Sequence, residues 1–246
     1  MTDTDLEICV VNHAGLLAAQ QDGVARIELC AALSLGGLTP SMGLITAARR
    51  SRVPVYVMIR PRGGNFIFSP AEVTQMLDDI AVVRDAGLAG VVLGAMTPAG
   101  ALDMDVLRIL TASCGPLRMQ LHRVFDLIAD PFAALEQAID LGFERILTSG
   151  QAIRASEGTA CLQALRRRAG ERIGIMAGSG VRAENVAHIM QLTGVNSFHA
   201  SCREPGAVQD ERLDHFGFAA EHAAISIAAI IRLHEAICSA ARENPL

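Results

Sequence analysis

Leu6-Glu7-Ile8-Cys9-Val10 and Arg26-Ile27-Glu28-Leu29-Cys30-Ala31 decide the fold of this chain. Each is a short apolar run with a carboxylate and a thiol on alternate positions. Side chains alternate across a strand. Leu6, Ile8 and Val10 therefore share one face, and Glu7 and Cys9 the other. In the second run Ile27 and Leu29 oppose Glu28 and Cys30. A purely structural strand has no reason to carry a carboxylate into its interior.

The same pattern recurs along the chain. Further apolar runs over residues 55–61, 90–95, 118–126, 145–150, 173–180 and 197–201 join those at 6–10 and 26–31. Strand starts fall at roughly 27-residue intervals, the rhythm of strand–helix repeats and a parallel sheet. The chain has 246 residues, close to the roughly 250 of a (β/α)8 TIM barrel. An α/β fold, one TIM-barrel domain over 1–246, is expected. Val55, Val57 and Ile59 oppose Tyr56, Met58, Arg60 and Arg62. Met119 and Leu121 oppose Gln120, His122, Val124 and Asp126. Phe198 and Ala200 oppose Ser197, His199 and Ser201. If the apolar faces meet helices, every polar candidate points into the barrel.

Helix signals fill the gaps. Asn12 can cap a helix to Gln21, and Ser69-Pro70-Ala71-Glu72 is a capping box with proline at the first helical position. Asp130-Pro131 opens another helix, stopped by Gly142. Helices are also expected near 182–192 and 219–241. Arg166, Arg167 and Arg168 fall late in a helix, where they complement its dipole.

Composition narrows the function classes. Hydrophobic residues make up 51% and net charge is −5, which argues for a large core and against a nucleic-acid partner. All 21 basic residues are arginine, so Schiff-base chemistry is excluded. No organic cofactor is implied. The six cysteines form no CxxC and suggest no disulfide framework. Residues 1–5 are acidic, unlike a signal peptide, and no apolar stretch approaches a membrane span. A soluble, cytoplasmic protein with reduced thiols is expected.

Several constellations carry chemistry. Glu7 and Glu28 hold matching places in adjacent strands, so their carboxylates would lie close. Like charges in a desolvated site raise one pKa, which suits general acid–base work or a metal. The alternative is pairing with Arg60 or Arg62 to tie strands together. Those two arginines suit recognition of a carboxylate or phosphate. Gly178, Gly180 and Ser201 follow the last two strands, where barrels often bind phosphate, and Ser149 can join them. His122 and His199 are candidate proton-transfer groups or metal ligands, and Asp126 stands beside His122. The remaining histidines are taken as surface residues. Cys9 and Cys30 face each other as a soft Cu(I) ligand pair or as small core fillers.

The motifs Gly36-Gly37-Leu38-Thr39-Pro40-Ser41 and Arg60-Pro61-Arg62-Gly63-Gly64, with 6–9, 26–31, His122-Arg123, Phe125-Asp126, 147–150 and 176–181, resemble the CutC family of copper-homeostasis proteins. The resemblance runs from about residue 6 to residue 203. It implies a TIM barrel, a cytoplasmic homo-oligomer (dimer or tetramer) and Cu(I) binding. Cys9 and Cys30 match the family's copper-binding cysteines in type and strand position. Glu7, Glu28, Arg60, His122, Asp126 and His199 match its polar barrel mouth. Residues 202–218 depart from the family pattern, and Ser179 stands where alanine is usual. The resemblance favours copper handling. The charged mouth favours an acid–base enzyme on a small anionic, phosphorylated metabolite: Glu7, Glu28 or His122 would move protons, while Arg60, Arg62 and the Gly178 and Ser201 loops hold the anion.

Overall fold

Eight parallel strands close into a barrel in sequence order, and the last pairs with the first. They are β1 (Asp5–Val10), β2 (Arg26–Leu29), β3 (Val55–Met58), β4 (Gly90–Leu93), β5 (Arg118–Leu121), β6 (Arg145–Thr148), β7 (Gly174–Ala177) and β8 (Ser197–Ala200). The structure is a computed structural model that describes residues 4–205, 211–216 and 223–243. Between strands run α1 (His13–Ala18), α2 (Met42–Ala48), α3 (Pro70–Asp85), α4 (Met104–Ser113), α5 (Pro131–Asp140), α6 (Thr159–Ala169) and α7 (Ala183–Thr193). After β8 come β9 (Arg203–Pro205), α8 (Glu211–His215), β10 (Ala223–Ile225) and α9 (Ile227–Glu243). Strands β9 and β10 pair antiparallel. Among the described residues, no helix is long and apolar enough to cross a membrane.

The alternation read from sequence sets the two layers. Leu6, Ile8, Val10, Ile27, Leu29, Val55 and Val57 join one core cluster with Leu16, Ile80, Leu107, Leu135, Leu162 and Ile189 of the helices. Cys9, Cys30, Tyr56, Met58 and Val92 form a separate inner cluster. Apolar burial therefore fixes which face of each strand turns inward.

Helix ends follow their local chemistry. Asn12 Oδ1 accepts the Gly15 N–H at 2.7 Å, but α1 stops at Ala18 rather than Gln21. The Ser69–Glu72 capping box forms in full at the start of α3. The three arginines do occupy the last turn of α6. The last helix starts at Ile227, not near 219, because 223–225 are taken up in β10; residues 217–222 lie outside the described set.

Most strands end two or three residues before the expected point. The largest difference is at 118–126. There β5 stops at Leu121, and Arg123–Leu127 forms a 3-10 turn capped by His122. The Val124 N–H donates to His122 Nδ1 at 3.2 Å, and Arg123 Nε donates to Asp126 Oδ2 at 2.8 Å. These local bonds compete successfully with strand pairing. Val124 accordingly joins the outer core instead of facing inward.

Candidate functional site at the barrel mouth

Register decides which inward side chains meet. Glu7 pairs with Arg26 across the β1–β2 ladder, and Cys9 pairs with Glu28. The two glutamates are thus not side by side, as their matching sequence positions suggested. Barrel strands tilt, so alternate strands fill each interior layer. The ladders put Glu7, Tyr56, Gln120 and Met176 in one layer. Glu28, Val92, Leu147 and His199 form the next, followed by Cys9, Met58, His122 and Gly178.

Histidine bridges the two carboxylates. His199 Nδ1 lies 2.8 Å from Glu7 Oε1, and its Nε2 lies 4.0 Å from Glu28 Oε1. Glu7 also accepts from Arg26 Nε at 3.1 Å and Gln120 Nε2 at 3.0 Å. Burial pushes the Glu7 pKa up, but His199, Arg26 and Gln120 together hold it down at about 2. Glu28 has no such company. Burial and the nearby Glu7 charge raise its pKa against the pull of His199, and its Oε2 has no hydrogen-bond partner. Burial disfavours the charged form of His199, yet Glu28 and Glu7 outweigh this and raise its pKa. The arrangement favours charge on Glu7 and on His199 and a retained proton on Glu28.

The thiols sit beside that carboxyl. Cys9 Sγ and Cys30 Sγ are 3.5 Å apart and buried. The Cys9 pKa stands well above its ordinary value through the contact with Cys30, burial and the Glu28 charge. Cys9, Glu28 and Cys30 present donor atoms within 4.8 Å of one another, as do Glu7, Glu28 and His199.

The remaining candidates divide. Arg60 is buried and its guanidinium lies over Phe66, 4.4 Å from the ring centroid. His122 packs on the same ring with centroids 4.9 Å apart. A side chain at position 94 would come within 2.7 Å of the imidazole, so Gly94 makes the room that His122 occupies. Asp126 is saturated: the backbone N–H groups of Ser149 and Gln151, the Ser149 and Thr148 hydroxyls, and Arg123 all donate to it. It staples the β5 and β6 mouths together. Ser149 is buried within that staple. Arg62 ties its own loop to α3 through Glu72, Asn65 and Ile67.

A cavity of about 1320 Å³ opens at the C-terminal end of the strands. Cys9, Glu28, Arg60, His122, Asp126, Gly180, His199 and Ser201 line it, whereas Glu7, Cys30, Arg62, Ser149 and Gly178 do not. Gly178 instead lets Leu147 and His199 pack close to the strand. Arg26, Gln120 and Phe66 complete the arrangement; the sequence reading puts Gln120 on the inward face without giving it a role, and gives none to Arg26 or Phe66. Arg26 shares the face of Glu28 two residues on, so the alternation that placed Gln120 could have found it too.

The CutC family model matches residues 4–204. A CutC family protein of Caulobacter vibrioides is 48% identical over 215 residues, covering 87% of this chain and 88% of the relative. One from Rhizobium meliloti is 45% identical over 232 residues, covering 94% and 95%. The crystal structure of a Streptococcus agalactiae CutC, provisionally assigned to copper homeostasis, superposes with a TM-score of 0.77. It is 35% identical and covers 81% of this chain and 99% of that one.

Proposed function

The chain belongs to the CutC family, and from that premise we propose that it serves copper homeostasis by binding Cu(I) through Cys9 and Cys30. One observation carries the reading: two buried thiol sulfurs 3.5 Å apart, one of them lining the mouth cavity. Soft thiolate ligands select Cu(I) over harder cations, and the inner cluster around them, with Tyr56, Met58 and Val92, limits access of water. Glu28 stands within reach of both sulfurs. All six cysteines are free, which suits the reducing cytoplasm we take as the protein's location, where it would act as a homo-oligomer.

The test is a Cu(I) competition titration against a high-affinity chelator under reducing conditions. Wild type is expected to bind one equivalent tightly. The Cys9→Ser, Cys30→Ser double variant is expected to lose that binding while keeping its far-UV circular dichroism spectrum. Retained affinity in the folded variant would reject the thiol site.

A second reading is favoured by the Glu7–His199–Glu28 chain, which ends in a carboxyl on a wide cavity. In it the protein moves protons on a small anionic metabolite. Incubating phosphorylated sugars with the protein in heavy water, read by NMR for deuterium uptake, tests this. Uptake abolished by Glu28→Gln supports it, and no uptake across the panel counts against it.

A further inference from the structure

Arg26 and Arg60, both buried, and the part-buried Arg145 enter the barrel interior and are not treated alike. Arg26 and Arg145, at the N-terminal end, both meet Asp5, and Arg26 also meets Glu7. Arg60, at the mouth, meets only neutral oxygens. Its Nη1 donates to the carbonyls of Leu35 at 2.7 Å and Gly37 at 3.1 Å, and its Nη2 to that of Gly64 at 2.8 Å. Among the described residues no carboxylate pairs with it, and its buried Nε–H has no acceptor. A buried charge without a counter-charge is costly, and structures that tolerate one usually supply the partner from elsewhere.

A second orphaned donor stands on the same aromatic ring. His122 Nδ1 accepts the Val124 N–H, so Nδ1 carries no proton. In the neutral ring the proton must then sit on Nε2, making that atom a donor. Burial and the Arg60 charge pull the imidazole pKa down to about 3, so the ring is neutral across the physiological range. His122 Nε2 is buried and has no partner. Both residues pack on Phe66 and both line the cavity.

We propose that Arg60 Nε–H and His122 Nε2–H form a binding site for the carboxylate of a small organic acid that enters the barrel mouth. The chemistry selects the ligand class. One fixed positive charge suits a monoanion, and two N–H donors beside an aromatic ring suit a planar acceptor group. A phosphate dianion, with three acceptor oxygens, would leave charge and lone pairs unmatched. Two other arginines at the mouth are already committed: Arg123 to Asp126 and Arg232 to Glu204. The site is independent of the thiols. It shares its cavity with the acid–base reading, and a carboxylate can bind there without being turned over.

The experiment uses reduced, metal-free, full-length protein with 15N-labelled histidine. Long-range 1H–15N spectra report the tautomer of each imidazole directly. His122 should show an unprotonated Nδ1 and a protonated Nε2 at neutral pH. Lactate and pyruvate should shift its Nε2 resonance saturably, and lactamide, the uncharged analogue, should not. By calorimetry, Arg60→Gln and His122→Phe should each weaken lactate or pyruvate binding roughly tenfold or more, the usual worth of a charge-assisted or buried hydrogen bond. The wild-type spectra do not depend on either variant folding. A protonated Nδ1, an Nε2 resonance unmoved by both acids, or a shift produced by inorganic phosphate alone would each overturn the assignment. Because binding is read without turnover, failure here is distinct from failure of the acid–base reading.

Discussion

At the scale of single residues, protonation decides what the thiol pair can do. Thiolate, not thiol, ligates a metal, and Cys9 holds its proton through the Cys30 contact, burial and the Glu28 charge. Cu(I) binding must therefore release protons, and affinity should climb as pH rises from about 6 to 9, with protons competing for the sulfurs at the low end. Chelator competition across that range checks this, and a pH-independent affinity would mean that the sulfurs are not the ligands. The residues of this site were legible to different degrees. Glu7, Cys9, Glu28 and His199 follow from alternation, because a polar group on an apolar strand has only one face to occupy. The saturation of Asp126 and the capture of Arg62 by Glu72 were not legible, because they depend on loop paths that alternation does not encode.

At the scale of elements, caps and close approaches carry the conformation. Ser69 Oγ accepts the Glu72 N–H and Glu72 returns a bond to the Ser69 N–H. Ser69→Ala should cost about 1 kcal/mol, read as a lower denaturation midpoint. Two glycines near the mouth separate backbone from side-chain crowding. A Cβ at position 158 would run into the carbonyl of Ser149 and the backbone of Gly150, neither of which can move without opening the loop after β6. At position 178 it would meet the Leu147 side chain, which can rotate toward the cavity. Gly158→Ala should thus destabilise by about 2–4 kcal/mol and Gly178→Ala by distinctly less. Equal losses in urea denaturation would mean that the 150–158 loop yields easily. These features were half legible: the capping box is written in four consecutive residues. The turn over 123–127 is hidden, since Val124 and Phe125 continue the apolar run of β5 and only the His122 cap and the Arg123–Asp126 spacing betray it.

At the scale of the whole molecule, the eight-strand rhythm was legible because each strand–helix unit is of similar length. The register was not, because strand tilt shifts neighbours in a way no single strand reveals. That shift makes Glu7 the common partner of three other strands, joining β1 to Arg26 of β2, Gln120 of β5 and His199 of β8. It thereby ties the β1–β8 closure to the opposite wall. Its folded pKa of about 2 lies below the ordinary 4.5, so the stability it contributes is present above about pH 4.5 and fades as pH falls toward 2. His199 shifts the other way: its raised pKa contributes stability below about 6.5 that is lost as pH climbs through the folded value. Glu28, also raised from 4.5, adds a cost that grows as pH rises from about 4.5 toward its folded value and so tilts the optimum toward the acid end. The cluster should be most stabilising between about pH 4.5 and 6.5. Glu7→Gln should remove the acid limb of the profile and cost roughly 3 kcal/mol at its peak, because Arg26 and His199 would lose a buried counter-charge. Urea denaturation of both proteins from about pH 3 to 9 measures this. A Glu7→Gln profile parallel to wild type would show that the barrel closes without help from its buried charges.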